Sequence, residues 1–260
     1  MKLEGKVAIV TGGNAGIGRG IAVMFAQEGA KVCIVGRNQQ RGAEAVELVK
    51  ATGSDGFFIS TDVSESENMQ MVVSETVKKY GKLDIMVNNA GSIHQGSLID
   101  LKDEDFDHII KNDLRSVFLG SKYGAIQMVK QGHGGRIINV SSIHAKISEP
   151  SCSPYTAAKG GIEAFTRTIA TELAPYKITA NILAPGATYS ELTTPMYTPA
   201  VKEALFKRIP LKAIAEPKDI ACGALFMASD ESWYMTGARI CIDGGYEMDG
   251  SLPDAQYWTE

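Results

Sequence analysis

Lys6-Val7-Ala8-Ile9-Val10-Thr11-Gly12-Gly13-Asn14-Ala15-Gly16-Ile17-Gly18 carries the chain's first apolar run and decides how the remainder is read. Its first half is a short β-branched stretch of the kind that forms a buried strand. Apolar residues then recur at Ile17, Ile21, Met24 and Phe25, the spacing of one helix face. Between the two lie the spaced glycines Gly12, Gly16 and Gly18. A strand, a glycine turn and a helix in that order gather backbone N–H groups at a helix N-terminus, a site for a pyrophosphate. Glycine is required there because a Cβ would block the tight turn and hold a ligand away from the backbone.

Moving outward, the same alternation continues to the end of the chain. Further strands are expected at 31–35, 56–60, 83–88, 135–140, 178–183 and 239–243, all short and rich in Val, Ile and Phe. Helices are expected at 39–49, 65–79, 103–111, 115–129, from Tyr155 to about Leu173, and at 199–207 and 217–228. Strands alternating with helices predict an α/β fold: a single domain over 1–260 with a doubly wound, seven-stranded parallel sheet flanked by helices. Within it, 187–212 reads as a mobile substrate-binding lobe and 246–260 as a C-terminal tail. Ligands of such sheets bind beyond the carboxyl ends of the strands. The chain's conspicuous polar and glycine groups cluster at those ends: Gly12, Asp62, Asn88-Asn89-Ala90-Gly91, Ser141-Ser142 and Pro185-Gly186.

Composition narrows the class. The 260 residues are 44% hydrophobic and 22% charged, ordinary values for a globular protein. A net charge of −4 without a basic run gives no reason to expect nucleic-acid binding. No apolar run reaches membrane-spanning length, and the charged start Met1-Lys2-Leu3-Glu4-Gly5-Lys6 leads directly into a strand, so a soluble cytoplasmic protein is expected. The scattered Cys33, Cys152, Cys222 and Cys241 read as reduced thiols, and the four histidines form no ligand-spaced cluster, so no metal is expected.

Chemistry concentrates in Ser153-Pro154-Tyr155-Thr156-Ala157-Ala158-Lys159. Pro154 suits the first turn of a helix, where its missing N–H would have no partner anyway. Residues four apart share a face, so Tyr155 and Lys159 point the same way. A nearby ammonium favours the phenolate and lowers the phenol's pKa from its usual value near ~10, which makes Tyr155 a candidate for proton transfer.

Taken together these residues resemble the short-chain dehydrogenase/reductase family over essentially the whole chain. The matching pieces are Thr-Gly-x-x-x-Gly-x-Gly from Thr11 to Gly18, Asn-Asn-Ala-Gly from Asn88 to Gly91, Ser142, Tyr-x-x-x-Lys at Tyr155 and Lys159, and Pro-Gly at Pro185 and Gly186. The resemblance implies a Rossmann fold, a nicotinamide dinucleotide, and hydride transfer between it and a carbonyl or alcohol carbon. It implies Tyr155 as the acid/base, with Lys159 holding the nicotinamide ribose hydroxyls and lowering the Tyr155 pKa. It implies Ser142, rather than Ser141, on the substrate oxygen, because the family serine stands thirteen residues before the tyrosine. Asn112, in Lys111-Asn112-Asp113-Leu114, matches the family asparagine that supports a proton-relay water near the lysine; read from the residues alone, it also fits an asparagine that merely interrupts a helix.

For the cofactor, the resemblance implies Gly12, Asn14, Ile17 and Gly18 at the pyrophosphate, Asp62 and Val63 beside the adenine, and Asn88, Ala90 and Gly91 along the adenine ribose. Pro185, Gly186 and a hydroxyl from Thr188 or Ser190 would meet the nicotinamide. The second strand ends in Gly36-Arg37-Asn38. No carboxylate stands there to repel a 2′-phosphate and Arg37 offers a fork to grip it, so NADP(H) is favoured over NAD(H).

The substrate is expected to be a small molecule. His94, His144 and Glu149 offer a polar cleft suited to a sugar or polyol, alongside Ser142 and Tyr155; Tyr189, Leu192, Met196 and Tyr197 offer an apolar wall suited to a hydroxysteroid or a 3-oxoacyl thioester. A different class, a nucleotide-binding regulatory protein without turnover, is opposed by the complete set Asn112, Ser142, Tyr155 and Lys159. Apolar residues around the last strand (Trp233, Tyr234, Met235) and on the tail (Met248, Leu252, Tyr257, Trp258) need cover, and the resemblance implies oligomers, so a homotetramer or dimer is expected.

Overall fold

Val7–Thr11 (β1) is buried at every position and lies in the middle of the sheet, paired in parallel with Lys31–Gly36 (β2) on one side and Ile85–Asn88 (β4) on the other. A computed structural model describes residues 1–250; Leu252, Tyr257 and Trp258 lie outside the described residues. Gly56–Ser60 (β3), Gly135–Val140 (β5), Ile178–Pro185 (β6) and Arg239–Ile242 (β7) complete a seven-stranded, all-parallel sheet in the order β3-β2-β1-β4-β5-β6-β7. The chain winds outward from β1 to β3, crosses back to β4, and winds outward again. The strand order therefore reverses between β1 and β4, which opens a crevice at their carboxyl ends.

Parallel neighbours need helical crossovers, and these cover both faces of the sheet. On one face Ala8, Val10, Val32 and Ile34 pack on Ile21 and Phe25 of Gly16–Gln27 (α1) and on Ile220 and Met227 of Pro217–Ala228 (α8). Ile9, Cys33, Val35 and Met86 point the other way. They meet Met69 and Val72 of Ser66–Tyr80 (α3), Leu119 and Met128 of Ser116–Gln131 (α5) and Ile169 of Ser153–Leu173 (α6). This alternation is the strand's period of two, and both halves are apolar because both faces are covered. Gln39–Lys50 (α2), Asp103–Ile109 (α4) and Pro199–Arg208 (α7) complete the helices. No helix among the described residues is long and apolar enough to cross a membrane.

Two expected elements differ from what is found. The helices expected at 103–111 and 115–129 are one continuous rod, in which α4 passes through a π-helical segment, Ile110–Arg115, directly into α5. A π turn loosens the backbone carbonyls it spans. The Ser116 hydroxyl meets two of them, donating to the carbonyls of Asn112 at 2.5 Å and Asp113 at 3.3 Å. The fourth strand begins at Ile85 rather than at 83, because the backbone N–H of Leu83 is taken by the Gln131 side chain at 2.8 Å.

Candidate active site

A cleft of about 770 Å³ runs along the carboxyl ends of the strands. At its floor the turn after β1 carries Gly12 with φ +64° and Gly16 with φ +47°, conformations in which a Cβ is strained. A Cβ on Gly12 would stand 2.8 Å from Asn89 Nδ2, and one on Gly16 2.7 Å from Ser190 Cβ. Asn89 ties this turn to β4: its Nδ2 donates to the Thr11 carbonyl at 3.0 Å, and its backbone N–H donates to Thr11 Oγ1 at 2.9 Å. The N-cap residue of α1, Ala15, offers no side-chain oxygen. The anion at this helix end comes instead from across the cleft. Glu191 Oε2 accepts from the Gly16 N–H at 2.8 Å, while Oε1 lies 2.7 Å from the Arg19 guanidinium. Burial pushes the Glu191 carboxyl up, but the backbone N–H groups and the Arg19 charge outweigh this and hold it below its ordinary value. A helix N-terminus that already draws a carboxylate, behind a turn with no room for side chains, fits the pyrophosphate of a dinucleotide.

At one end of the cleft Arg37, Asn38, Arg41, Asp62 and Val63 gather beyond β2 and β3. Asn38 caps α2, accepting from the Arg41 N–H at 2.9 Å, which fixes Arg41 on the first turn facing the same space. Asp62 accepts from the Ser64 N–H at 2.9 Å. Burial raises its carboxyl pKa, but the Ser64 hydrogen bonds and the charges of Arg37 and Lys111 bring it below the ordinary value. Two guanidinium groups thus flank the space where an adenine ribose would lie.

At the other end stand the groups suited to proton transfer. Pro154 occupies the first turn of α6, and Tyr155 and Lys159 follow on one face. Lys159 is buried; its ammonium donates to the Val140 carbonyl at 3.3 Å and lies 5.4 Å from the centre of the Tyr155 ring. Ser142, at the carboxyl end of β5, accepts from the His144 N–H at 3.1 Å. Ser141 turns back onto α6, its hydroxyl 3.2 Å from the Lys159 carbonyl and 3.1 Å from Glu163 Oε1. Behind them Arg239 of β7 pairs with Glu163 at 2.7 Å and with Glu247, and reaches the Ser142 carbonyl at 3.4 Å. This network braces the backbone that carries Ser142.

Of the expected residues, Gly12, Asn14, Ile17, Arg37, Asp62, Val63, Ala90, Gly91, Asn112, Ser142, His144, Glu149, Tyr155, Lys159, Pro185, Gly186, Thr188, Ser190 and Met196 all line this one cleft. Four expected residues, Gly18, Asn88, His94 and Tyr189, do not line the cleft. Gly18 is packed beneath the turn, where a Cβ would collide with the Gly12 carbonyl and the Asn89 amide. Asn88 is buried between strands, donating to Asn139 Oδ1 at 2.8 Å and Ser121 Oγ at 3.1 Å; Asn89 is the asparagine that faces the cleft. His94 turns to Asp105 at 3.6 Å, and Tyr189 stacks edge-on against Tyr197 under Lys202. Asn112, at the cleft rim, pairs its amide with His108 at 2.7 Å, whereas the neighbouring Asp113 faces Lys159 at 3.4 Å. Between Thr188 and Ser190, Thr188 is the more buried, its hydroxyl donating to the Gly186 carbonyl at 3.0 Å, while Ser190 pairs with Thr193 at 2.9 Å.

Sequence reasoning missed Asp113, Arg41 and Glu191. Arg41 had a usable signal, since Asn38 is a strong helix cap and Arg41 falls on the first turn behind it. Glu191 had none, because its partner on the glycine turn is remote in sequence.

Comparison with known proteins gives a consistent result. The family model described as enoyl-(acyl carrier protein) reductase matches residues 12–247. An uncharacterized oxidoreductase of Thermotoga maritima is 41% identical over 94% of this chain and 98% of its own length. The 3-oxoacyl-[acyl-carrier-protein] reductase FabG of Staphylococcus aureus is 37% identical, again over 94% of this chain and 98% of the relative. A crystal structure of a short-chain type dehydrogenase/reductase from Mycobacterium marinum superposes with a TM-score of 0.90 at 33% identity, covering 94% of this chain and 96% of that one.

Proposed function

Because the chain belongs to the short-chain dehydrogenase/reductase family, whose members are oxidoreductases of CH–OH and C=O groups, we propose that it is an NADP(H)-dependent reductase or dehydrogenase of a hydroxylated ketone or secondary alcohol. One observation carries the reading: Tyr155, Lys159 and Ser142 share a single cleft with the glycine turn of α1. A bound nicotinamide supplies the hydride in reduction or accepts it in oxidation. Ser142 donates a hydrogen bond to the substrate oxygen and holds the reacting carbon in reach. Tyr155 then gives its phenolic proton to that oxygen as the carbonyl becomes an alcohol, or takes the alcohol's hydroxyl proton in the reverse direction. Lys159 stabilises the phenolate left behind, because an ammonium beside a phenol favours its ionised form.

Arg37 and Arg41 support NADP(H), since two guanidinium groups suit a 2′-phosphate better than a free hydroxyl. The polar wall supports a sugar or polyol. His144 is held below its ordinary pKa by burial, against the nearby Glu149, so near neutrality it is an uncharged ring able to exchange hydrogen bonds with hydroxyls. Its Nδ1 has no partner among the described residues. A second reading, reduction of 3-oxoacyl thioesters, has its own support in the apolar wall of Leu192, Met196, Val201 and Leu205 and in the FabG relative. The lobe at 187–212 contributes that wall and acts as the mobile substrate-binding part, and the working protein is a homotetramer or dimer.

The test is a screen with NADPH, NADP, NADH and NAD against sugars, polyols, 3-oxoacyl thioesters and hydroxysteroids, followed by absorbance of the reduced nicotinamide. Turnover with NADPH or NADP on a polyol or sugar is expected. Turnover confined to thioesters would favour the second reading, and none with any carbonyl or alcohol would overturn both.

A further inference from the structure

Asp113 lies in the π-helical segment Ile110–Arg115 and is fully buried, although nothing in the reading above uses it. One carboxylate oxygen, Oδ1, accepts from the backbone N–H of Ser92 at 2.8 Å and from its hydroxyl at 3.3 Å. The other, Oδ2, has no aligned hydrogen-bond donor among the described residues and faces Lys159 Nζ at 3.4 Å. The space around Oδ2 is closed, since a Cβ on Gly91 would stand 2.9 Å from it. A buried carboxylate with an unsatisfied oxygen is costly to keep, so its presence against an ammonium calls for a reason beyond packing.

We propose that Asp113 is a positioning residue acting through Lys159: a buried counter-ion that holds the ammonium in place beneath Tyr155 and weakens its pull on the phenol. The inference rests on the proton-transfer reading of Tyr155. Its physical basis is that Tyr155 responds to the net charge beneath it, and that charge is one ammonium minus whatever Asp113 cancels. Burial raises the Asp113 carboxyl pKa while Lys159 and the Ser92 bonds oppose this. With Asp113 Oδ2 3.4 Å from its ammonium, Lys159 acts on Tyr155 as a smaller net charge than it would alone. The surrounding titratable groups are Tyr155 on α6, Tyr197 from the lobe, the His144–Glu149 pair after β5, and His108 on α4, which is turned outward to Asn112. Lys159 is the cation that acts on Asp113.

The sign follows directly. Asp113→Asn keeps the shape and an oxygen for the Ser92 N–H but removes the counter-charge, so the Tyr155 pKa should fall. The experiment has two readouts. The pH profile of kcat/KM gives the ionisation that limits turnover, and tyrosinate absorbance of each protein minus its Tyr155→Phe derivative gives the phenol's pKa without any cofactor. In Asp113→Asn both should move down by roughly one unit or more, with the ability to donate a proton lost at the lower pH. Asp113→Ser, which also removes the charge, should shift the same way. An unchanged or raised Tyr155 pKa in a folded neutral variant would overturn the proposal. So would failure of both variants to fold, which would assign the carboxylate to packing around Ser92. Should Tyr155→Phe itself retain turnover, the reading of Tyr155 fails instead, and the absorbance titration still reports whether Asp113 governs that phenol.

Discussion

Arg37 and Arg41 carry the choice of nucleotide, and each can be tested alone. A charge-assisted hydrogen bond to a 2′-phosphate contributes about 1.5 to 3 kcal/mol, so Arg37→Ala is expected to weaken NADPH binding by about ten- to a hundredfold and to leave NADH nearly unchanged. Equal losses for both nucleotides, measured by fluorescence titration, would mean that Arg37 stacks on the adenine instead. The complementary change, Gly36→Asp, requires the Asn14 amide to move aside, because a Cβ there would meet it. A different kind of residue is Asn88, which belongs to the family pattern yet works as an internal clamp. Removing its amide in Asn88→Ala leaves Asn139 and Ser121 short of a donor and should cost about 1 to 3 kcal/mol in urea unfolding. A loss of nucleotide affinity without a loss of stability would contradict that assignment. These two asparagines mark a limit of reading residues from a motif. Asn88-Asn89 was legible as a functional pair, but which member faced the cleft depended on the pleat at the strand's end.

At the scale of elements, the N-terminus of α1 and the lobe carrying Glu191 compete for the same role. The Glu191 carboxylate holds the Gly16 N–H and Arg19, so it presents a negative charge where a pyrophosphate would bring more. Charges at helix ends are worth about 0.3 to 1 kcal/mol. Glu191→Gln should therefore tighten dinucleotide binding by about two- to fivefold in calorimetry, while weaker binding would mean that Glu191 helps to clamp the cofactor through Arg19. The carboxyl's lowered pKa adds a sign: the latch is present above the ordinary carboxyl range and is lost as pH falls through the folded value. The strands were legible because runs such as Val7–Thr11 are apolar on both faces, as a covered parallel sheet requires. The π-helical segment was not legible. Within Ile110–Arg115, Asp113 faces Lys159 of α6, while Asn112 lines the cleft and bonds His108.

For the molecule as a whole, surface and site lead to separate expectations. Trp233, Tyr234 and Met248 are 67%, 87% and 82% exposed, and Phe118, Ile126 and Val129 stand out from α5. Apolar groups in such number are expected to be covered by further copies of the chain. Light scattering should give a homotetramer or dimer, and a stable monomer at micromolar concentration would contradict this. The doubly wound sheet was foreseeable from the alternation of strands and helices, and the convergence of Gly12, Ser142, Tyr155 and Lys159 from the polar groups and glycines at its strand ends. The substrate was not, because its walls come from loops and the lobe, whose path is set by contacts remote in sequence such as Glu191 on Gly16. The central claim is that Tyr155 moves the proton, and the most direct measurement compares wild type with Tyr155→Phe on the best substrate, alongside NADPH affinity for both. The account predicts that kcat falls by at least about 10²-fold while the nucleotide Kd changes little, since only a hydroxyl is lost. A variant retaining most of its kcat would contradict it.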